Sequence, residues 1–125
     1  MHDFEICLCF SFADPPVIKE APMSQRVKAG GTVTFVCIAT GDPTPHITWR
    51  KDKKAIPPRY QVLDFPGGSL LRIEPVRRKP EQSQIECLAE NGAGDPVYSK
   101  ATLVVYDGKQ ALVYYCIIMS HLDED

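Results

Sequence analysis

Two runs of alternating residues, each with a cysteine on its apolar side, restrict this chain more than any other feature. Across Thr32–Ile38, Val33, Phe35 and Cys37 share one face; further on, Ile85, Cys87 and Ala89 do the same. Apolar residues at a period of two mark a strand with one face in a core and the other in water. Both thiols therefore point inward from well-separated strands. Between them lies the single tryptophan, Trp49, which shares an inward parity with Ile47 across His46–Arg50.

The rest of the body has the same grain. "TGDPTP" (Thr40–Pro45) is a loop, because its two prolines remove donors and fix φ. Tyr60–Leu63 is a weaker strand, and "FPGGS" turns the chain after it. Leu71, Ile73 and Val76 face inward, "RRKPEQ" is polar, "NGAG" (Asn91–Gly94) suits a hairpin, and Ala101, Leu103 and Val105 line a last strand. No helical period of useful length occurs. Seven or eight short antiparallel strands describe an all-β sandwich. With inward cysteines in its second and penultimate strands and a tryptophan between, that sandwich has the immunoglobulin arrangement, in which an inter-sheet disulfide packs on a buried indole. A bridge between Cys37 and Cys87 closes about 50 residues and contributes roughly 4 kcal/mol in the chain-entropy model. An intracellular module of this kind keeps the same pair as buried thiols, so the redox compartment decides between the two states. Ile85 stands where such domains commonly place a tyrosine, two residues before the second cysteine, so the tyrosine-corner hydrogen bond is missing and lower stability with the same fold is expected.

A chain of 125 residues holds one such domain and two flanks. The boundaries read as 1–13, 14–107 and 108–125. "MHDFEICLCFSFA" has a short apolar run and small residues at Ser11 and Ala13, but Asp3 and Glu5 replace the basic start of a secretory leader. It reads either as a degenerate signal peptide or as sequence from a misplaced exon junction. "ALVYYCIIM" (Ala111–Met119) is too short to span a bilayer, and residues 108–125 read as a disordered tail. Five cysteines without a C-x-x-C spacing give no metal site, even with His2, His46 and His121 present, and no cofactor is implied. His46 has outward parity and reads as an exposed spacer. The formal charge of -2 hides an asymmetry: residues 14–106 carry 13 Lys/Arg against 10 Asp/Glu, and the flanks carry 1 against 6.

"GDPTPHITWRK", "LLRIEPVRR" and "ECLAENGAGD" together resemble the first immunoglobulin domain, of the I-set type, of LAR-type receptor protein tyrosine phosphatases, in particular an invertebrate member. The resemblance runs over Asp14–Tyr106. It implies an extracellular, non-catalytic module of a cell-adhesion and axon-guidance type receptor, with heparan or chondroitin sulfate proteoglycans as partners and cell-surface proteins as further ligands. It also implies the site: Arg50, Lys51, Lys53 and Lys54 of the lysine-rich loop, with Arg77 of "RIEPVR". Arg78 and Lys79 lie one or two places from a basic position of that family that is Pro80 here. Asp52 stands where the family often has an uncharged residue and is expected to weaken the patch. The phosphatase loop of these receptors needs an arginine six residues after its cysteine; six beyond Cys7, Cys9, Cys37, Cys87 and Cys116 stand Ala13, Pro15, Pro43, Ala93 and Leu122. No enzyme activity is expected of this chain.

The residues alone allow "RKDKK" to be a solvated turn. The second basic run, Arg77–Lys79, and Arg59, which extends the cluster, favour an anion site. Arginines match planar sulfate and carboxylate oxygens in pairs, and lysines add mobile point charges, a mixture that suits an irregular polyanion. Nucleic acid fits less well, since no aromatics are interleaved with the cations to stack bases. Two rival readings remain: a ligand-free I-set domain acting as a spacer or intracellular scaffold module, and a truncated fragment of a receptor phosphatase gene.

Overall fold

The computed structural model describes residues 13–77 and 81–107. Their strands are β1 (Asp14–Glu20), β2 (Gln25–Lys28), β3 (Val33–Asp42), β4 (His46–Lys51), β5 (Lys54–Ala55), β6 (Gln61–Phe65), β7 (Gly68–Ile73), β8 (Glu81–Glu90) and β9 (Val97–Tyr106). They form two packed sheets, ordered β1-β3-β7-β6 and β2-β9-β8-β4-β5. The all-β sandwich read from the alternation is the observed fold. The expectations for residues 1–12, and for the tail from 108 onward, fall outside the described residues.

Two details of the strand count need correction. The described residues hold nine strands, and Cys37 lies in the third because β1 and β2 both precede it. β2 also pairs parallel to β9, from Gln25 opposite Leu103 to Lys28 opposite Tyr106, whereas the alternating pattern predicts antiparallel strands throughout. Each missed strand lacks a readable period. β1 spans "DPPVIKE", and its two prolines suit the sheet edge it occupies and the register shift between Asp14 and Val17; β2 and β5 are four and two residues long.

The core is built from the positions that alternation marks. Val33, Phe35, Cys37 and Ala39 of β3 face Ile85, Cys87 and Ala89 of β8, with Leu71, Ile73, Ala101, Leu103 and Val105 around them, all buried. Cys37 and Cys87 are bonded, with Cα atoms 6.4 Å apart, and both are fully buried. Beside the bridge, Trp49 Nε1 donates 2.8 Å to Ser69 Oγ. Ser69 is the cross-strand partner of Cys37 and Trp49 that of Cys87, so a covalent link and a hydrogen bond join the two sheets at one level. Ile85 is fully buried and fills the core where the tyrosine corner is absent.

Two of the connections between strands are fixed by identifiable local devices. Pro66-Gly67 joins β6 to β7, with Gly67 at φ 76°; proline followed by a residue of positive φ is the signature of a type II turn. At the other end, Asn91 Nδ2 donates to Asp14 O at 2.7 Å and to Pro43 O at 2.9 Å, fastening the β8–β9 connection to β1 and to the β3–β4 loop.

Candidate functional site

β4 runs from the core out to the basic loop. After Trp49 it continues through Arg50 and Lys51, turns at Asp52-Lys53, and returns as β5, with Arg50 opposite Ala55 and Lys51 opposite Lys54. Both turn residues are left-handed, Asp52 at φ 49° and Lys53 at φ 66°, as a two-residue type I′ hairpin requires. Aspartate visits that region with little penalty, whereas for lysine it costs roughly 1–2 kcal/mol. Two like charges directly across a ladder are destabilising as well. The loop thus departs from two local rules at the position where its cations are most crowded.

Alternation divides the candidate residues between two surfaces. Arg50 has outward parity, and its Nη2 lies 3.4 Å from Glu86 Oε1, its cross-strand partner. Glu86 is only 7% exposed, so its carboxylate needs that guanidinium. Lys51 has the other parity and emerges beyond the end of the core, where its Nζ sits 5.8 Å from the centre of the Tyr60 ring. The Arg59 guanidinium lies 5.1 Å from the centre of the same ring and donates 2.9 Å to Pro75 O. Arg59 and Arg77 then line one shallow groove with Gly30, Pro75 and Val76.

A continuous rim results, from Lys51 over Tyr60 to Arg59, and across Pro75 to Arg77. Lys53 and Lys54 are exposed at the hairpin next to it. Arg50 is turned away from this rim. Arg78 and Lys79 fall outside the described residues. Asp52 is tied down: its N–H donates to Gln84 O, and its Oδ1 accepts from Gln84 N–H, both at 2.9 Å.

Two participants have little trace in the sequence. Tyr60 is the buried ring between two cations, and its signal was limited to an aromatic beside Arg59 at the start of a weak strand. Glu86 pairs with Arg50 through a register that the sequence does not specify. Among the described residues no group of three or more His, Cys, Asp or Glu could hold a metal ion, and no helix is long and apolar enough to cross a membrane.

Comparison with known proteins agrees with this architecture. The family model described as "Immunoglobulin domain" matches residues 15–91. Tyrosine-protein phosphatase Lar of Drosophila melanogaster is 46% identical over 110 residues, covering 85% of this chain and 5% of that protein. The N-terminal Ig1-2 module of the Drosophila receptor protein tyrosine phosphatase DLAR is similar in structure, with a TM-score of 0.69 and 49% identity over 75% of this chain and 50% of that one. Titin domain M7 matches with a TM-score of 0.67 and 28% identity, over 76% of this chain and 97% of that domain. The chain spans only about one-twentieth of the curated phosphatases it matches, and what it shares with them is an immunoglobulin domain. With its two-sheet sandwich, its Cys37–Cys87 bridge packed beside Trp49 and this match over most of the described residues, the chain belongs to the immunoglobulin domain family.

Proposed function

We propose that this domain is a non-catalytic, extracellular recognition module of an adhesion-type receptor, and that it binds sulfated glycosaminoglycan, heparan or chondroitin sulfate, on the rim formed by Lys51, Lys53, Lys54, Arg59 and Arg77. The observation that carries the reading is the joining of two basic loops through one aromatic ring: Lys51 and Arg59 both approach Tyr60, and Arg59 shares a groove with Arg77. Arg78 and Lys79 follow Arg77 directly and are included as candidates. Arg50 is left out, since Glu86 already takes its charge. The extracellular location is supported by the disulfide and by the similarity to receptor-type phosphatases.

Retention on immobilised heparin tests the reading. Lys53→Glu/Lys54→Glu should abolish retention and leave the thermal midpoint nearly unchanged, because exposed charges contribute little to stability. Retention of the unaltered domain should fall steeply with salt, the screening length being about 8 Å at 0.15 M. A spacer or scaffold domain, the reading that the similarity to titin domain M7 favours, would elute no later than the double variant at every salt concentration.

A further inference from the structure

Asp52 looks like an impurity in a cationic loop, a carboxylate among four positive side chains. Its contacts give it a different part. The β4–β5 hairpin has just two paired positions, Arg50 with Ala55 and Lys51 with Lys54, and the second of these opposes two ammonium groups. A hairpin that small has almost no stability of its own. β4 pairs with β8 as far as Lys51 opposite Ile85. One residue further on, at the turn itself, Asp52 makes two connections to that strand: its N–H donates to Gln84 O, and its carboxylate accepts from Gln84 N–H. Asp52 also accepts the positive φ that the first turn position imposes, which most residues resist.

We infer that Asp52 is the positioning residue of the basic surface: its carboxylate fastens the turn to β8 and so holds Lys53 and Lys54 beside Lys51 in the orientation that meets a polyanion. The inference rests on the glycan-binding reading above and adds an anchoring role to the weakening charge expected of the residue. A carboxylate that merely diluted the positive field would improve binding when removed in any way. A carboxylate that anchors the turn improves binding only when its charge is removed and its hydrogen bond kept.

Asp52→Asn and Asp52→Ala separate the two. Both variants are neutral, so the electrostatic gain is common to them; unit charges roughly 6 Å apart in water interact by the equivalent of about threefold in an equilibrium constant, less with salt. Asparagine keeps an acceptor oxygen for Gln84 N–H and tolerates the left-handed conformation, and alanine does neither well. Heparin affinity of Asp52→Asn should equal or exceed that of the unaltered domain, up to about threefold, and Asp52→Ala should bind at least roughly threefold more weakly than Asp52→Asn. Amide hydrogen exchange at Gln84, read without heparin, should be faster in Asp52→Ala and unchanged in Asp52→Asn. Equal affinities of the two variants, both above that of the unaltered domain, would overturn the positioning role and leave the glycan reading intact, as would unchanged Gln84 exchange in Asp52→Ala. Absence of heparin binding by the unaltered domain would overturn the glycan reading and the inference with it.

Discussion

Replacing Ser69 by alanine deletes one oxygen atom from the middle of the sandwich and almost no volume. Ser69 is fully buried, and its Oγ accepts the indole N–H of Trp49 across the gap between the sheets at 2.8 Å. Trp49 is 4% exposed, so water has little access to the freed N–H. The cost is therefore that of a buried donor left without a partner, about 1–3 kcal/mol, with no cavity to add. For a domain of this size each kcal/mol lowers the midpoint by about 4–8 °C, so a loss of about 2 kcal/mol corresponds to roughly 8–16 °C. Ser83 supplies an internal control. It is 3% exposed, and its Oγ has no hydrogen-bond partner among the described residues. Ser83→Ala removes an unsatisfied buried hydroxyl and should be neutral or stabilising by up to about 1 kcal/mol. Urea unfolding followed by the fluorescence of Trp49, the single tryptophan, reads both variants with the same probe. Opposite outcomes are expected from the same substitution at two buried serines. If Ser69→Ala and Ser83→Ala shift the midpoint alike, the inter-sheet hydrogen bond has no part in stability and the argument fails.

Loss of the bridge in Cys87→Ala should cost about 4 kcal/mol, from a closed loop with a sequence separation of 50. Peptide mass mapping of secreted material should find Cys37 joined to Cys87, and free thiols at both positions would favour the intracellular scaffold reading. The two-surface division of the arginines is checked by a pair of single variants on heparin. Arg59→Ala should weaken retention severalfold, because Arg59 lies between the lysine hairpin and Arg77. Arg50→Ala should leave retention within about twofold while lowering stability by roughly 1–3 kcal/mol, since the buried Glu86 carboxylate loses its partner. The reverse order of the two arginines on heparin would place the binding surface on the outer face of the β8–β4 sheet instead.

Much of the fold was legible because strong signals coincide. Val33, Phe35 and Cys37, like Ile85, Cys87 and Ala89, alternate without a break, and both prove fully or almost fully buried. The strands that left no trace are those whose stability comes from pairing and not from pattern. β1 carries two prolines and β5 has two residues, so each exists only as an addition to a neighbour already formed. The site divides in the same way. Lys53 and Lys54 could be placed at an exposed turn from composition alone. That Arg50 is spoken for by Glu86, that Tyr60 receives two cations and that Asp52 grips Gln84 all depend on register or on long-range packing. A one-residue shift of β4 against β8 would exchange the partners of Arg50 and Asp52.

β4 also explains why core and rim should respond unequally to change. Trp49, in contact with the inter-sheet layer through Ser69, is two residues from Lys51, roughly 7 Å along the strand. Beyond Lys51 the chain contributes nothing to the buried cluster until Ile56 and Tyr60, so reversing the charge of Lys53 or Lys54 alters the field at the rim without disturbing the layer that holds the sheets together. The converse does not hold. Tyr60, on which Lys51 and Arg59 converge, is itself part of the buried core, and Val76, which lines the groove of Arg59 and Arg77, is another member of it. Loosening the sandwich by cutting the bridge therefore moves the ring and the groove relative to the hairpin, and it should weaken glycan binding in proportion to the fold that is lost. Charge variants at the tip should separate binding from stability, whereas core variants should lower both together.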